Sequence, residues 1–395
     1  MTDPFPLPTR AAGLARLHGF LPRAGLAYAA KRNNDLAGHP HVSGLSPWLR
    51  HRLVTEAEVI AAVQAAHPGG ADRFLAEVWW RTYWKGWLEL RPAIWSDYRQ
   101  GLQAALDRVQ VEAGLRARWE DACEGRTGID GFDHWARELG ATGYLHNHAR
   151  MWFASIWIFT LGLPWELGAD FFLRHLIDGD PASNTLSWRW VAGLHTPGKT
   201  YLATADNIAR NTEGRFAPQG LATVALPLRG APHPAPRPAP LGDTPDPTAP
   251  ALLLITEEDL SAEPVVACPV AGLAVLSHPA GRSPLAVAPG VLAFTTAALD
   301  DALARLAAPQ AQRFGAAELA ALVDHAAALG ARQIVTAHAP VGPVARLLAE
   351  VQRLAEVQRL AEPRGLSLVR VLRPHDRDAW PHATHGFFRF RKAVM

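Results

Sequence analysis

The sequence predicts an all-helical domain followed by an α/β domain with a mostly parallel sheet. Through the first 228 residues, apolar side chains recur at helical spacing, as in ADRFLAEVWWRTYWKGWLEL. After residue 250, short apolar runs alternate with amphipathic helices, which is typical of parallel α/β domains. The two halves also differ in composition, because 13 of the 14 tryptophans lie between Trp48 and Trp190.

Proline marks the boundary between the halves. The segment APHPAPRPAPLGDTPDPTAP contains too much proline for a helix or a central strand and is typical of a semi-rigid linker. We therefore predict a helical domain over 1–228, a linker over 229–250 and an α/β domain over 251–395. The predicted strands are the apolar runs ALLLIT, VVACPV, GLAVLSH, VLAFTT, RQIVTAH and LSLVRVL.

Composition and charge exclude several classes of protein. The 395 residues are 49% apolar and 19% charged, and no run reaches the roughly 18 apolar residues of a membrane span. The N-terminus MTDPFPLPTR lacks the regions of a signal peptide. Cys123 and Cys268 are too few for a disulfide framework or an iron–sulfur cluster on cysteines alone. The sequence thus predicts a cytoplasmic protein, and its net charge of +2 neither requires nor excludes an anionic partner.

One helical face in AEVWWRTYW carries a carboxylate, a guanidinium and two large rings. Glu77, Trp80, Arg81 and Trp84 stand at i, i+3, i+4 and i+7. The pattern by itself favours a buried aromatic face with a Glu77–Arg81 ion pair, and a binding surface is the alternative.

A second cluster, HNHARM, leads into the apolar helix WFASIWIF and places Asn147, Arg150 and Met151 on one face. A buried arginine there requires a carboxylate partner. His146 and His148, two residues apart, point in different directions on a helix, so we expect no metal site.

The stretch LIDGDPASNTLSWRW supplies possible partners for Arg150. Asp178 and Asp180 flank a glycine, and a proline follows, so we predict a loop with helix resuming near Asn184. Asn184 and Trp188 then lie one turn apart. Arg150 is expected to pair with Asp178 or Asp180, beside an amide and an indole.

These segments together resemble the FAD-binding helical domain of the DNA photolyase and cryptochrome family. GLSPWL, EVWWR, HNHARM and LIDGDPASNTLSWRW follow the family's order within about residues 9–218. In the segment VSGLS, which resembles the family's phosphate-binding segment, Val42 and Gly44 replace the family's threonine and arginine. The resemblance implies that FAD is bound by Tyr28, Ser43, Leu45, Ser46, Arg81, Arg150, Asp178, Asp180 and Asn184.

The resemblance also implies roles around the flavin ring. Arg150 and Asp178 match the family's ion pair beside the ring, Asp180 a carboxylate that accepts a hydrogen bond from the ring edge, and Asn184 the residue that faces N5. Hydrogen bonds and charges at such positions tune the redox state of a flavin.

For catalysis, the resemblance implies two groups of residues. Trp188 and Trp165 match the first two members of a tryptophan chain that passes an electron to light-excited flavin. Val109 stands near the third position, for which Trp119, Trp157 and Trp190 are possible replacements. The residues implied to bind a flipped-out pyrimidine dimer are Glu77, Trp80, Asn147 and Met151.

The implied activity is a blue-light-driven lyase that splits cyclobutane pyrimidine dimers in UV-damaged DNA, single- or double-stranded, by electron transfer from reduced FAD. One alternative is a cryptochrome-like photoreceptor without repair activity, in which flavin reduction acts on the C-terminal domain or on a signalling partner. Another is a nucleic-acid-binding scaffold that has lost FAD.

The C-terminal half departs from the family's architecture. Most members carry an α/β antenna domain before the helical domain, whereas this sequence places an α/β domain after it. We expect either a rearranged antenna-like domain, with a second chromophore that the sequence does not identify, or an unrelated α/β domain packed on the first. The basic, aromatic tail RPHDRDAWPHATHGFFRFRKAVM fits either a single-strand binder or a docking segment.

Overall fold

The first half of the chain is helical in a computed structural model that describes residues 6–261, 268–361 and 365–395. Within residues 6–250 the structure contains no strand, as the helical spacing predicts. The α-helices of this half are α1 Arg10–Phe20, α2 Leu26–Lys31, α3 Ser46–Arg50, α4 Glu56–Ala66, α5 Asp72–Glu89, α6 Ala93–Val111, α7 Ala113–Glu124, α8 Phe132–Thr142, α9 Asn147–Ser155, α10 Trp165–His175, α11 Pro181–Val191 and α12 Ala205–Asn211.

Side-chain caps set where the helices of the site begin. Thr55 and Glu58 form a reciprocal capping box at the start of α4. Asp180 accepts a hydrogen bond from the backbone N–H of Ser183 at 2.8 Å and so caps α11. Pro181 occupies the first turn, where its missing N–H costs nothing. Helix α11 therefore begins at Pro181, slightly before the expected return to helix near Asn184.

The second half forms a five-stranded parallel sheet, which confirms the predicted fold class. Its strands are β1 Ala251–Thr256, β2 Val270–Leu276, β3 Gln312–Phe314, β4 Gln333–Ala337 and β5 Ser367–Val371. They are arranged in the order β3-β2-β1-β4-β5, with Leu252 opposite Gly272 on one side and Ile334 on the other. The helices of this half are α13 Pro289–Arg305, α14 Leu319–Ala328, α15 Pro343–Ala361, α16 Pro374–Ala379 and α17 Phe387–Val394.

One predicted strand is wrong. The run VLAFTT, residues 291–296, lies inside α13. Val291, Phe294 and Ala298 are buried on one face at helical spacing, and the Thr295 hydroxyl donates to the carbonyl oxygen of Val291 at 2.8 Å. The short strand β3 lies outside all the predicted runs. Of the run VVACPV, residues 265–267 are outside the described residues, and β2 begins at its last residue.

The two halves share a hydrophobic core. Alternate residues of β1 face opposite sides of the sheet. Leu253 and Ile255 pack with α13 and with helical-half residues such as Trp48, whereas Leu252 and Leu254 pack with α14 and α15. All six residues of β1 are buried, because both faces of the sheet are covered. The α/β half therefore packs directly on the helical half.

The segment after β5 lies along α5. Tyr83 Oη donates to the carbonyl oxygen of His385 at 2.8 Å, and Arg91 donates to that of Thr384 at 2.8 Å. Gly86 allows the close approach of Trp380, since a Cβ there would lie 2.7 Å from the indole Cδ1. The basic, aromatic tail is thus docked on the helical half. Among the described residues, no helix has the length and apolar character that crossing a bilayer requires.

Candidate functional site

Arg150 and Asp178 form the ion pair that the sequence predicts. Nη2 of Arg150 lies 2.8 Å from Oδ2 of Asp178, and Nε donates to the carbonyl oxygen of Leu145 at 3.0 Å. Burial raises the pKa of Asp178, but Arg150 and the nearby Ser46 hydroxyl lower it, with a net shift below its ordinary value. The structure therefore brings Ser46, Arg150 and Asp178 together where α3, α9 and the loop before α11 meet.

A second buried cluster surrounds Asp180. Its Oδ2 atom lies 3.8 Å from Nη2 of Arg81 and 4.0 Å from Nζ of Lys85. Glu56 adds a carboxylate whose Oε1 is 3.5 Å from Nε of Arg81. Burial favours the neutral acid, but Lys85 and Arg81 lower the pKa of Asp180 far below its ordinary value. Asp180 is therefore a buried carboxylate that neighbouring cations keep ionised.

The donors of this cluster fit FAD. Nε and Nη2 of Arg81 and Nζ of Lys85 are buried and lack a hydrogen-bond partner among the described residues. Lys85 is only 1% exposed, and burial lowers its pKa. Buried N–H donors that make no hydrogen bond are costly, even beside a carboxylate, until an acceptor comes within hydrogen-bond distance. The carbonyl and phosphate oxygens of FAD are such acceptors, so Arg81 and Lys85 are suited to hold this cofactor.

Helix α11 places Asn184 and Trp188 one turn apart. Asn184 Nδ2 donates to the carbonyl oxygen of Ala169 on α10 at 2.7 Å, so its amide group is held by the protein. The Trp188 ring is buried and meets Phe172 edge to face at a centroid distance of 5.1 Å. It meets Trp157 in the same way at 6.2 Å.

Trp165, the other predicted member of the tryptophan chain, has different ring neighbours. Its ring centroid is 5.7 Å from that of Tyr98, which lies 5.2 Å from that of the partly exposed Trp95. Val109, near the expected third position, is buried in the core with Trp157 and Trp165. The structure thus links Trp188 to Trp157 by ring contact and Trp165 to the surface through Tyr98.

The predicted substrate residues lie on α5 and α9. Glu77 pairs with Arg32, so the alternative of a Glu77–Arg81 pair within the helix is wrong. Glu77 has an exposed fraction of 32%; the surrounding protein raises its pKa, and Arg32 opposes that shift. Trp80 stacks face to face on Phe387, with ring centroids 3.8 Å apart and 11° between the planes. On α9, Asn147 is exposed, and Met151 is partly buried one turn later.

Three of the predicted FAD-binding residues lie in the N-terminal part of the helical half. Tyr28 is on α2, and Ser43 and Leu45 precede α3. Tyr28 packs edge to face on two phenylalanines, and burial raises its pKa. Ser43 accepts a hydrogen bond from the backbone N–H of Leu45 at 3.3 Å. Gly44 has a φ of +64°, and a Cβ there would lie 3.0 Å from Nη2 of Arg16. A guanidinium thus reaches this segment from α1 instead of from position 44.

The sequence patterns did not predict several residues of the site. Lys85 follows Arg81 by four residues on α5, so helical spacing could have identified it. Arg16 and Arg50 offer no such signal, because their partners are distant in sequence; Glu258, the partner of Arg50, is 208 residues away.

His39 belongs to a separate titratable cluster and leads to a prediction for stability. Its Nδ1 is 3.3 Å from Oδ1 of Asp35, and its Nε2 is 3.0 Å from Oε1 of Glu138. Burial lowers the pKa of His39, but the two carboxylates raise it, with a net shift from 6.5 to about 9. Because the folded pKa exceeds the unfolded one, this stabilisation is complete below pH 6.5 and is lost as the pH rises through about 9.

We expect the free energy of unfolding, measured in urea, to fall between these pH values and to fall less steeply in His39→Gln. The substitution of exposed His382 by Gln is the matched control. Equal slopes for wild type and His39→Gln would contradict the assignment.

Comparison with known proteins shows that part of the helical half is similar to one family. Residues 74–219 match the model of the FAD binding domain of DNA photolyase. A deoxyribodipyrimidine photo-lyase of Streptomyces griseus is 38% identical over 165 residues, which are 42% of this chain and 34% of that protein. A deoxyribodipyrimidine photo-lyase of Thermus thermophilus is 34% identical over 225 residues, which are 55% of this chain and 50% of that protein.

A cryptochrome DASH of Gloeobacter violaceus is 32% identical over 195 residues, 46% of this chain and 37% of that protein. The chain thus spans between a third and a half of the length of these relatives. FAD is the cofactor of the matched domain. Within its helical half, this chain therefore matches the FAD-binding domain of the DNA photolyase and cryptochrome family.

Proposed function

We propose that this chain is an FAD-dependent, blue-light-driven lyase that splits cyclobutane pyrimidine dimers in UV-damaged DNA. The observation that carries the proposal is the donor-rich cluster of Arg81, Lys85 and Asp180 beside the Arg150–Asp178 pair. It occurs in a chain that is 38% identical, over the matched part, to a deoxyribodipyrimidine photo-lyase.

Reduced FAD, if held by Arg81 and Lys85, would supply the one-electron chemistry that opens the dimer, with the electron returned at the end. The protein holds and orients that cofactor. Arg81 and Lys85 offer donors to its oxygens, while Arg150 and Asp178 neutralise each other and so add little net charge. Asn184 is fixed by Ala169 and presents a polar group from the first turn of α11. The burial of Asp178, Asp180 and Asn184 excludes water from this part of the site.

On the substrate side, Trp80 provides a ring against which a flipped-out base stacks, with Glu77 as acceptor for its N–H groups. Asn147 and Met151 contact the dimer from α9. Trp188 is the proposed first electron donor during reduction of the flavin by light, with Trp165 in the same relay. Trp188 contacts Trp157 and Trp165 contacts Tyr98, whereas no ring contact among the described residues joins Trp188 to Trp165. The step between Trp188 and Trp165 therefore rests on the family resemblance.

Trp80→Ala is expected to abolish most of the preference for damaged DNA. Stacking on an aromatic ring contributes about 1–3 kcal/mol per base, so the affinity for a dimer-containing oligonucleotide should fall roughly tenfold to hundredfold. Competition binding in the dark measures this loss, and affinity for the undamaged oligonucleotide serves as the control. A Trp80→Ala protein that keeps the wild-type ratio of the two affinities would remove Trp80 from the proposed site.

A cryptochrome-like photoreceptor without repair activity is the second candidate. Phe387 covers one face of Trp80, and Arg32 engages the Glu77 carboxylate, so both substrate groups already have partners. This candidate predicts that blue light changes the protease sensitivity of the tail after β5 while dimers stay intact. Identical cleavage patterns in light and darkness would count against it.

A further inference from the structure

Arg50 connects the α/β half to the loop that carries the two aspartates of the site. Its Nε donates to the carbonyl oxygen of Gly179 at 2.8 Å. Its Nη1 and Nη2 donate to the two carboxylate oxygens of Glu258, just after β1, at 2.6 and 2.7 Å. Arg50 is 2% exposed and Glu258 is 5% exposed. One guanidinium therefore joins the peptide between Asp178 and Asp180 to the sheet.

Arg282 of the α/β half holds the other end of the same loop. Its Nη1 donates to the carbonyl oxygen of Leu176 at 3.1 Å. Burial and the neighbouring Arg50 lower the pKa of Arg282 to about 10, while Glu257 and Glu258 oppose that shift. Guanidinium groups thus hold both ends of the five-residue loop, and one of them, that of Arg50, pairs with Glu258 just after β1.

The residues that follow Arg50 fix this interface further. Arg52 has a φ of +50°, in the left-handed region that residues with side chains rarely adopt. Its guanidinium lies among the carboxylates of Glu56, Asp259 and Asp376. Such strained backbone persists only where the surrounding contacts impose it. The position of Arg50 is therefore set by the interface as well as by α3.

We propose that Arg50 and Glu258 are positioning residues for the FAD site. By holding the carbonyl group of Gly179, the pair sets where the carboxylates of Asp178 and Asp180 stand relative to the cofactor. The α/β half thereby supports the site mechanically from the carboxyl end of β1. The inference rests on FAD binding, which is one part of the proposed function, and is independent of dimer repair.

Two conservative substitutions test the geometry. Arg50→Lys keeps the charge, but a single ammonium group lacks the fork that serves Gly179 and both oxygens of Glu258 together. Glu258→Gln keeps the size of the side chain and removes its charge. The controls are Arg353→Lys and Glu350→Gln, which alter a surface arginine–glutamate pair in the same half.

The full-length apo proteins are titrated with FAD, and the midpoint potential of the bound flavin is measured. We expect Arg50→Lys and Glu258→Gln to raise the dissociation constant of FAD about tenfold and to shift the potential, with both control variants unchanged. Urea unfolding of the apo proteins separates positioning from stability, because a purely structural role changes the unfolding midpoint alone.

The inference is overturned if both variants bind FAD with wild-type affinity and potential. A wild-type protein that binds no FAD overturns it together with the proposed function. A wild-type protein that shows the expected dependence on Arg50 yet repairs no dimers overturns the proposed function alone.

Discussion

Asp180→Ala is expected to lower the free energy of unfolding by about 3–5 kcal/mol, because it removes one of the two carboxylates, Asp180 and Glu56, that balance the buried cations Arg81 and Lys85. The substitution also removes the cap of α11, at a further cost of about 1 kcal/mol. Asp180→Asn keeps the capping oxygen and should lose only the first contribution. Urea unfolding of the apo protein measures both effects, and the purified Asp180→Ala protein should contain no FAD.

Asp378 provides the matched control for that prediction. Its side chain is 71% exposed and pairs with the exposed Arg377. Asp378→Ala should change the free energy of unfolding by no more than about 0.5 kcal/mol. Wild-type stability for Asp180→Ala would mean that the cluster of Asp180, Arg81 and Lys85 is hydrated in solution.

Phe387→Ala should destabilise the protein by about 3–5 kcal/mol, the usual cost of deleting a buried phenylalanine ring. Phe387 is 4% exposed and stacks on Trp80, and Phe390 on the same face of α17 packs on Tyr83. The next residue, Phe388, is 81% exposed, so Phe388→Ala should change stability by no more than about 0.5 kcal/mol. Denaturant unfolding compares the two variants directly.

Equal effects of the two phenylalanine substitutions would contradict the docking of α17 on α5. The predicted difference also bears on the site, because the ring of Phe387 restricts the orientations open to Trp80. A tail that docks in this way is part of the helical half's core, although it follows the last strand of the α/β half.

The sequence predicted those parts of the fold that depend on local periodicity. The helices before residue 228 and the strands β1, β4 and β5 have distinctive spacing, and the structure contains them. The run VLAFTT was misassigned because six apolar or β-branched residues fit a buried strand and one face of a helix equally well. Strand β3 has only three residues, too few for a period to appear.

The same limit applies to the site. The Arg150–Asp178 pair could be predicted because a buried guanidinium needs a carboxylate and the loop before α11 supplies one. The contacts of Arg50 with Glu258 and of Trp80 with Phe387 join opposite halves of the chain. Local residue spacing could not predict either contact, because each forms only when the two halves of the chain pack together.

The carboxyl end of β1 is one place where the two halves meet. In open parallel sheets, the crevice at the carboxyl ends of the strands commonly binds ligands. Here Glu258 and Asp259 at this end are engaged by Arg50 and Arg52. This end of the sheet therefore contacts the helical half.

The central claim is tested most directly by light-dependent repair. The protein is loaded with FAD, reduced, mixed with an oligonucleotide that carries one cyclobutane thymine dimer, and divided between blue light and darkness. We predict that the illuminated sample converts the dimer to two thymines and that the dark sample does not. An illuminated protein with a full complement of reduced FAD that leaves the dimer intact, in single-stranded and in double-stranded DNA, would contradict the account.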